Sequence, residues 1–97
     1  MPKPNFELGK VVATPGALKV IEASGLNPLV FVARHASGDW GDMVVSDKTA
    51  NEDAVTSGAR IFSSYRLPSG EKIWVITSAT DDDGRRESTC VMRPTEY

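Results

Sequence analysis

The first half of the chain begins with one extended segment. After it, short stretches of apolar residues at helical spacing, bounded by proline and glycine, predict helices. Residues 6–13 include two adjacent valines and end before Thr14, which predicts a short strand or extended segment. Thr14 followed by proline is an N-cap signal, and we expect a helix over residues 15–24. Asn27 followed by proline predicts a second helix over residues 28–36, which ends before a glycine.

The second half of the chain changes to the two-residue period of strands. Ser46 is predicted to cap a third helix over residues 47–57, which should lie on the surface because few of its positions are apolar. A period of two over residues 60–67 predicts a strand. One face of this strand carries Ile61, Ser63, Tyr65 and Leu67, and the other carries Arg60, Phe62, Ser64 and Arg66. Residues rich in β-branched and aromatic types predict a second strand over residues 72–77, and a last strand covers residues 88–93 before a proline.

The turn at residues 68–71 sets the pairing of the first two of these strands. If residues 69 and 70 form a two-residue turn, Tyr65 lies opposite Trp74 and Ser63 lies opposite Ile76. Helices that precede strands then predict an α+β fold. In this fold, two or three short N-terminal helices pack on a C-terminal three- to four-stranded antiparallel meander.

Length and charge limit the classes of protein that the chain can belong to. The length of 97 residues allows one core, so we expect residues 1–97 to form a single α+β domain. The 11 basic and 13 acidic residues give a net charge of -2. This charge argues against a protein that holds duplex nucleic acid mainly by electrostatics, although it leaves room for a local basic patch.

Cysteine content and hydropathy indicate the compartment. The single cysteine, Cys90, excludes an internal disulfide and suits a reducing environment. No apolar run approaches the roughly 20 residues that a membrane-spanning helix needs, and residues 1–5 lead into no signal-peptide core. We therefore expect a cytoplasmic protein without a membrane segment, whose oligomeric state the sequence does not determine.

The segment with the densest chemistry is residues 34–42, which combine a cation, an imidazole, two carboxylates, a hydroxyl and an indole with two glycines. His35 is the only histidine, and an imidazole can act as a general acid or base. Asp39 or Asp42 would then orient its second ring nitrogen. The binding residues predicted from this segment are Arg34, His35, Asp39, Trp40 and Asp42.

A structural interpretation of the same segment stands beside the functional one. Arg34 and His35 lie at the predicted end of a helix, where positive side chains interact favourably with the helix dipole. Asp39 then serves as a turn residue, and Trp40 anchors the loop on the core.

Metal and cofactor sites are not predicted. A metal bound by His35, Asp39 and Asp42 would lack a defined fourth ligand. Residues 81–84 resemble a calcium loop in acidity, but they lack its alternating ligands and its distal glutamate, so we expect a solvated turn. The sequence contains no Walker loop, dinucleotide-binding glycine pattern, zinc-protease motif or nucleophile elbow, and we predict no cofactor.

Polar side chains on the predicted sheet form a second candidate site, because they could bind phosphate or an RNA backbone. They are Arg60, Ser63, Ser64, Tyr65, Arg66, Thr77 and Thr89. Helices followed by such a sheet resemble small metal-independent ribonucleases at the level of the fold. This resemblance implies a nuclease-like hydrolase, whose catalytic candidates are His35, Asp39, Arg60 and Tyr65, with Ser63 assisting.

Residues 34–42 also resemble a family of small bacterial proteins found on plasmids and integrating elements. Asn51 and residues 58–65, 70–77 and 94–97 fit the same pattern, so the resemblance covers nearly the whole chain. Members are often labelled plasmid-related proteins or restriction-modification subunits. The resemblance implies no particular activity, and a methyltransferase domain would need a longer chain and a glycine-rich cofactor loop.

Together these observations favour a binding or regulatory protein of a mobile genetic element, which acts through protein or nucleic-acid contacts. The nuclease-like hydrolase is the alternative. A third hypothesis is a structural subunit that buries Trp40 or Trp74 against a partner. We expect Trp74 and Tyr65 to pack in the core or at the edge of the sheet rather than to stack on bases.

Overall fold

The computed structural model describes residues 4–97, so the first three of residues 1–5, which lead into no predicted signal-peptide core, lie outside the described part of the chain. Helices and strands follow one another in an order that differs from helices first and strands last. The elements are β1 (Lys10–Ala13), α1 (Pro15–Ala23), α2 (Pro28–Ala36), α3 (Val45–Ser57), β2 (Ile61–Arg66), β3 (Lys72–Thr77), β4 (Ser88–Met92) and a 3-10 helix (Pro94–Glu96). The α+β class is confirmed.

The first two helices begin where their capping residues predict. The Thr14 hydroxyl accepts a hydrogen bond from the backbone N–H of Ala17 at 3.1 Å, and a proline occupies the first turn. The Asn27 side chain accepts from the N–H of Leu29 at 2.9 Å. These caps satisfy N–H groups that have no partner within the helix, so α1 and α2 match their predicted bounds to within one residue.

The third helix begins earlier than predicted. Its N-cap is Val44, whose side chain makes no capping hydrogen bond, and Ser46 lies within the first turn instead of at the cap. The helix ends at Gly58, which has a φ of 85° and lies in the left-handed region. Glycine enters that region without a steric penalty, which explains why this end was predicted correctly.

The sheet is mixed, and the predicted antiparallel meander is therefore wrong in one of its pairings. The strand order is β1-β4-β3-β2, with β1 parallel to β4 and the other two pairs antiparallel. The helices are not all N-terminal to the sheet, because β1 precedes them and α1 to α3 lie between β1 and β2 in the chain. Parallel strands need a long connection, and the helical segment is part of the connection between β1 and β4.

The hairpin between β2 and β3 has a three-residue turn. The N–H of Leu67 donates to the carbonyl oxygen of Glu71 at 2.8 Å, and the N–H of Gly70 donates back to the carbonyl of Leu67 at 2.9 Å. Gly70 has a φ of 93°. A type I turn followed by a left-handed residue is a common three-residue hairpin loop, and glycine permits it.

This turn shifts the predicted pairing by one residue. The observed pairs are Tyr65 with Ile73, Ser63 with Val75, and Ser64 with Trp74. The predicted pairs of Tyr65 with Trp74 and of Ser63 with Ile76 are wrong. Because side chains alternate between the two faces of a strand, a shift of one residue places Trp74 on the face opposite to Tyr65.

The two faces of the sheet have different coverings. One face packs under α1 and α2 in a core of Ala17, Ile21, Phe31, Val32, Tyr65, Leu67, Ile73, Val75 and Val91. A second apolar cluster joins Phe6, Trp40, Ala54 and Ile61. α3 lies against the β2 edge, where the Asn51 amide donates to the Phe62 carbonyl at 2.6 Å and accepts from the Phe62 N–H at 3.1 Å.

The opposite face, called the open face below, carries none of the helix-packed core residues. Strand alternation and the observed register place on it Lys10 and Val12 of β1, Phe62, Ser64 and Arg66 of β2, Lys72, Trp74 and Ile76 of β3, and Ser88, Cys90 and Met92 of β4. Partial exposure is shared by four of these residues, Phe62, Trp74, Cys90 and Met92.

Within the described residues, no single helix has the length and apolar composition needed to cross a membrane. Taken together, α1 and α2 have that length and composition, but the two helices are bent by 104° relative to each other.

Candidate functional site

The loop at residues 34–42 is held by bonds within the loop and to the sheet. The Asp39 carboxylate accepts from Arg34 Nε at 2.7 Å and from the N–H of Gly41 at 3.2 Å. The hydrogen bond with Arg34 lowers the pKa of Asp39, and the same bond raises the pKa of Arg34. The Arg34 guanidinium lies 4.5 Å from the Tyr65 ring centre, and the Tyr65 hydroxyl donates to the Asp39 carbonyl at 2.6 Å. The ion pair between Arg34 and Asp39 is exposed, so its contribution to the stability of the fold is small.

The middle of this loop pairs with the outer edge of β2. The N–H of Ser64 donates to the Trp40 carbonyl at 3.1 Å, and the N–H of Asp42 donates to the Ser64 carbonyl at 2.6 Å. The Trp40 side chain is buried, and its indole N–H donates to Glu52 at 2.9 Å. Gly41 has a φ of 77°, and a Cβ atom at this position would overlap the Ser64 carbonyl oxygen. The glycine therefore allows the loop to cover an otherwise unpaired strand edge.

Asp42 lies at the rim of the open face. Its carboxylate is 3.4 Å from Arg66 Nη2 and 3.9 Å from Lys72 Nζ, and all three side chains are about half exposed. Surface ion pairs of this kind contribute little to stability. Asp42 therefore belongs with the surface of the sheet rather than with His35.

His35 is completely buried at the centre of a polar chain that crosses the sheet. Its Nδ1 lies 2.5 Å from Ser63 Oγ, and its Nε2 lies 2.8 Å from Thr77 Oγ1. The chain continues from Thr77 Oγ1 to Thr89 Oγ1 at 2.7 Å, and Thr89 donates to the Leu8 carbonyl at 2.7 Å. Three strands, α2 and the segment before β1 are thus joined by one imidazole and three hydroxyls.

The donors and acceptors along this series of hydrogen bonds determine which nitrogen of the His35 ring carries a hydrogen. The Leu8 carbonyl can only accept, so the single hydroxyl hydrogen of Thr89 is used on it. Thr89 then accepts from Thr77, which leaves Thr77 able only to accept from the imidazole. His35 therefore carries a hydrogen on Nε2, and in the neutral form of the ring its Nδ1 accepts from Ser63.

The surroundings of His35 disfavour its charged form. Burial, with a smaller contribution from the positive charge of Arg86, lowers the pKa of His35 to about 4 from its ordinary value of 6.5. The Arg86 guanidinium is itself buried and donates to the carbonyls of Ala54, Ala59 and Ser78 at 2.7–3.0 Å. At neutral pH this region holds one buried cation and an uncharged imidazole.

The structure does not assemble the predicted catalytic set. Ser63 and His35 have the separation of a nucleophile and its base, but both are fully buried, so a substrate in solution cannot reach them. The Asp39 carboxylate accepts a hydrogen bond from Arg34 and none from His35. Burial raises the pKa of the Tyr65 hydroxyl. The Arg60 guanidinium donates to the Tyr97 hydroxyl, whose ring packs against the open face.

The predicted polar sheet face is divided between the two sides of the sheet. Ser63, Tyr65, Thr77 and Thr89 are buried on the helix-packed side, whereas Ser64 and Arg66 belong to the open face. Threonine and serine suit both buried and exposed strand positions when a hydroxyl partner is present. Period-two alternation identified the two faces of β2 but gave no indication that a histidine from α2 packs against one of them.

The open face carries a contiguous aromatic cluster. The Phe62 and Trp74 ring centres are 4.8 Å apart, and those of Trp74 and Tyr97 are 5.7 Å apart, both in edge-to-face arrangements. The Arg60 guanidinium carbon lies 5.5 Å from the centre of the Tyr97 ring, whose residue is 68% exposed. Sequence reasoning placed Phe62 beside Arg60 by alternation, but the register error removed Trp74 from this face, and no local pattern marks Tyr97.

Next to this cluster a groove of about 310 Å³ lies between α3 and the open face. Its lining residues are Met43, Asp47, Ala50, Asn51, Arg60 and Phe62. The Asn51 side chain uses its donor and its acceptor on the β2 backbone, so the charged groups of the groove are Arg60 and Asp47. The aromatic cluster and the groove therefore share one exposed arginine.

Metal-binding groups are not clustered in the part of the chain that the structure describes. Residues 4–97 contain no group of three histidine, cysteine or carboxylate side chains placed to hold an ion. The acidic turn is satisfied internally, because the Asp81 carboxylate accepts from the N–H groups of Asp83 and Arg85 at 2.9 and 3.0 Å. This arrangement is an ordinary aspartate turn.

Comparison with known proteins adds no assignment. The chain matches no family model, no curated protein and no solved structure. The resemblance of residues 34–42 to plasmid and integrating-element proteins therefore stays a prediction.

Proposed function

We propose that the chain is a non-catalytic binding protein that contacts its partner through the open face. The observation that carries this proposal is the exposed cluster of Arg60, Tyr97 and Trp74, which lies on a sheet face without helix-packed core residues. Aromatic and arginine side chains contribute most of the energy of many binding surfaces. The setting that we propose, from the family resemblance, is the cytoplasm of a bacterium that carries a plasmid or integrating element.

A binding role agrees better with the geometry than nuclease-like catalysis does. General acid–base catalysis requires a group that can reach a substrate and exchange protons near the working pH. His35 is sealed from solvent and has a pKa near 4, and its two nitrogens are occupied by Ser63 and Thr77. The strands of the open face, in contrast, carry no carboxylate and no imidazole on that face.

The proposal can be tested by affinity purification of the tagged chain from bacterial cells after brief cross-linking. Arg60→Glu combined with Tyr97→Ser changes two exposed residues of the open face. Lys19→Glu combined with Leu29→Ser is the matched control, since both residues are exposed on α1 and α2. We expect wild type and control to retain the same partner and the open-face variant to lose it. Equal recovery by all three proteins would contradict the proposal.

A further inference from the structure

The strands of the open face carry only positive charge, although the chain as a whole has a net negative charge. The four strands and the residue before β2 place four cations on this face and no carboxylate. These cations are Lys10, Arg60, Arg66 and Lys72. Asp42 at the rim partly neutralises Arg66 and Lys72, at 3.4 and 3.9 Å. Within residues 4–97, Lys10 and Arg60 form no ion pair. The open face is therefore complementary to an anionic ligand.

The same face presents aromatic rings beside these charges. Tyr97, Trp74 and Phe62 form a continuous edge-to-face line, and Tyr97 is largely exposed. Aromatic side chains bind unpaired bases by stacking, and this contact tolerates any base because each base has a π face. Cations next to such rings can neutralise the phosphates that follow each base.

The form of the surface favours a single strand over a duplex or a protein. Bases in a duplex are stacked on one another and cannot reach rings on a sheet. Reading a duplex groove needs an inserted helix or ribbon, whereas the open face is a sheet surface. A protein partner would need an acidic surface to match the positively charged strands of the open face, whereas every nucleic-acid strand carries phosphates that match them.

We infer that the open face binds single-stranded nucleic acid, with bases on Tyr97 and Trp74 and phosphates near Arg60 and Lys72. This inference rests on the proposed function, because it names the partner of the same face. With four cations available, the affinity should be moderate and dependent on salt. RNA and single-stranded DNA share this chemistry, so both are included in the test.

The test is fluorescence anisotropy with labelled RNA and DNA strands of about 12 nucleotides, the length of one sheet-sized site. A duplex of the same sequence and a polyglutamate peptide, each labelled in the same way, are measured for direct binding to the same face. Both single strands, or one of them, should bind more tightly than the duplex. Raising the salt concentration should weaken binding, with a logarithmic slope of about 0.7 for each phosphate contact.

Matched substitutions assign the binding to the open face. Arg60→Gln and Lys72→Gln should each weaken binding and reduce the salt slope by about 0.7. Arg85→Gln and Lys19→Gln remove the same charges from exposed positions elsewhere and should leave both quantities unchanged. Tyr97→Leu should weaken binding between about fivefold and a hundredfold, as expected for one lost stacking contact.

Tryptophan fluorescence gives an independent signature of stacking. In a Trp40→Phe background, Trp74 is the only tryptophan, and its emission should be quenched when the single strand saturates the protein. If Trp40→Phe does not fold, the effect of Tyr97→Leu decides the question alone, because that exposed side chain can be changed without loss of the core.

The inference is overturned if neither single strand binds at about 100 µM protein, the weak end of non-specific affinity. It is also overturned if the control variants lose as much affinity as the open-face variants. Binding of polyglutamate without binding of either strand would refute nucleic acid as the ligand and leave the proposed function standing. An unchanged partner in the affinity purification would instead refute the proposed function itself.

Discussion

The helix-packed and open faces of the sheet both carry polar side chains, but only the open face presents exposed groups that could bind a ligand. Around His35 every donor and acceptor is paired with Ser63, Thr77 or their neighbours. In the described residues no buried side-chain nitrogen or oxygen lacks a hydrogen-bond partner. On the open face, the Arg60 side chain makes one hydrogen bond within residues 4–97, to the exposed Tyr97. Dense chemistry in a sequence therefore identifies a site only when the fold leaves it exposed and incompletely satisfied.

The largest expected effect comes from removing the buried imidazole. His35→Ala leaves a cavity and deprives the Ser63 and Thr77 hydroxyls of their partner, so the free energy of unfolding should fall by about 4 kcal/mol. Denaturant unfolding measures this change. Ligand binding by the fraction that remains folded should be unchanged. A His35→Ala protein of wild-type stability that has lost binding would reverse the roles that we assign to the two faces.

The next effect is on the pH dependence of stability. The pKa of His35 is about 4 in the folded protein, whereas the unfolded chain should titrate near 6.5. Below 6.5 the unfolded state binds a proton that the folded state does not, so acid favours unfolding. The contribution is complete above pH 6.5 and should fall by about 3 kcal/mol by pH 4.

Urea unfolding over this pH range tests the prediction, and His35→Gln is the control because it has no titrating ring. A wild-type curve that is flat between pH 6.5 and about 5, where most carboxylates remain ionised, would show that His35 is solvated and exchanges protons freely. That result would remove the main physical difference between the two faces.

The smallest of the three effects concerns the loop that covers the β2 edge. Gly41→Ala adds a Cβ atom at positive φ against the Ser64 carbonyl and should cost about 2 kcal/mol of unfolding free energy. Gly84→Ala is the matched control, because Gly84 has a φ of 76° but open space around it. It should cost about 1 kcal/mol, for backbone strain alone. Equal losses measured by thermal unfolding would mean that the loop does not pack on β2.

Much of the local structure could be read from the sequence because its causes are local. Thr14 and Asn27 each cap a helix through hydrogen bonds that span two or three residues, and Gly58 ends α3 by its own conformation. The faces of β2 followed from alternation, which correctly separated Phe62 from Tyr65. The candidate site could be predicted only in part, since Arg60 was recognised but its contact with Tyr97 was not.

What the sequence by itself determined is therefore the set of helices and strands and the positions of the turns between them. The tertiary structure decided that Lys10 pairs with Ser88, that the hairpin register brings Trp74 to the open face, and that His35 is buried. The β1–β4 pairing and the burial of His35 depend on partners far apart in the chain, whereas the hairpin register depends on which turn closes the hairpin. Capping and alternation act over a few residues, whereas exposure, pairing and the choice of site depend on the completed fold.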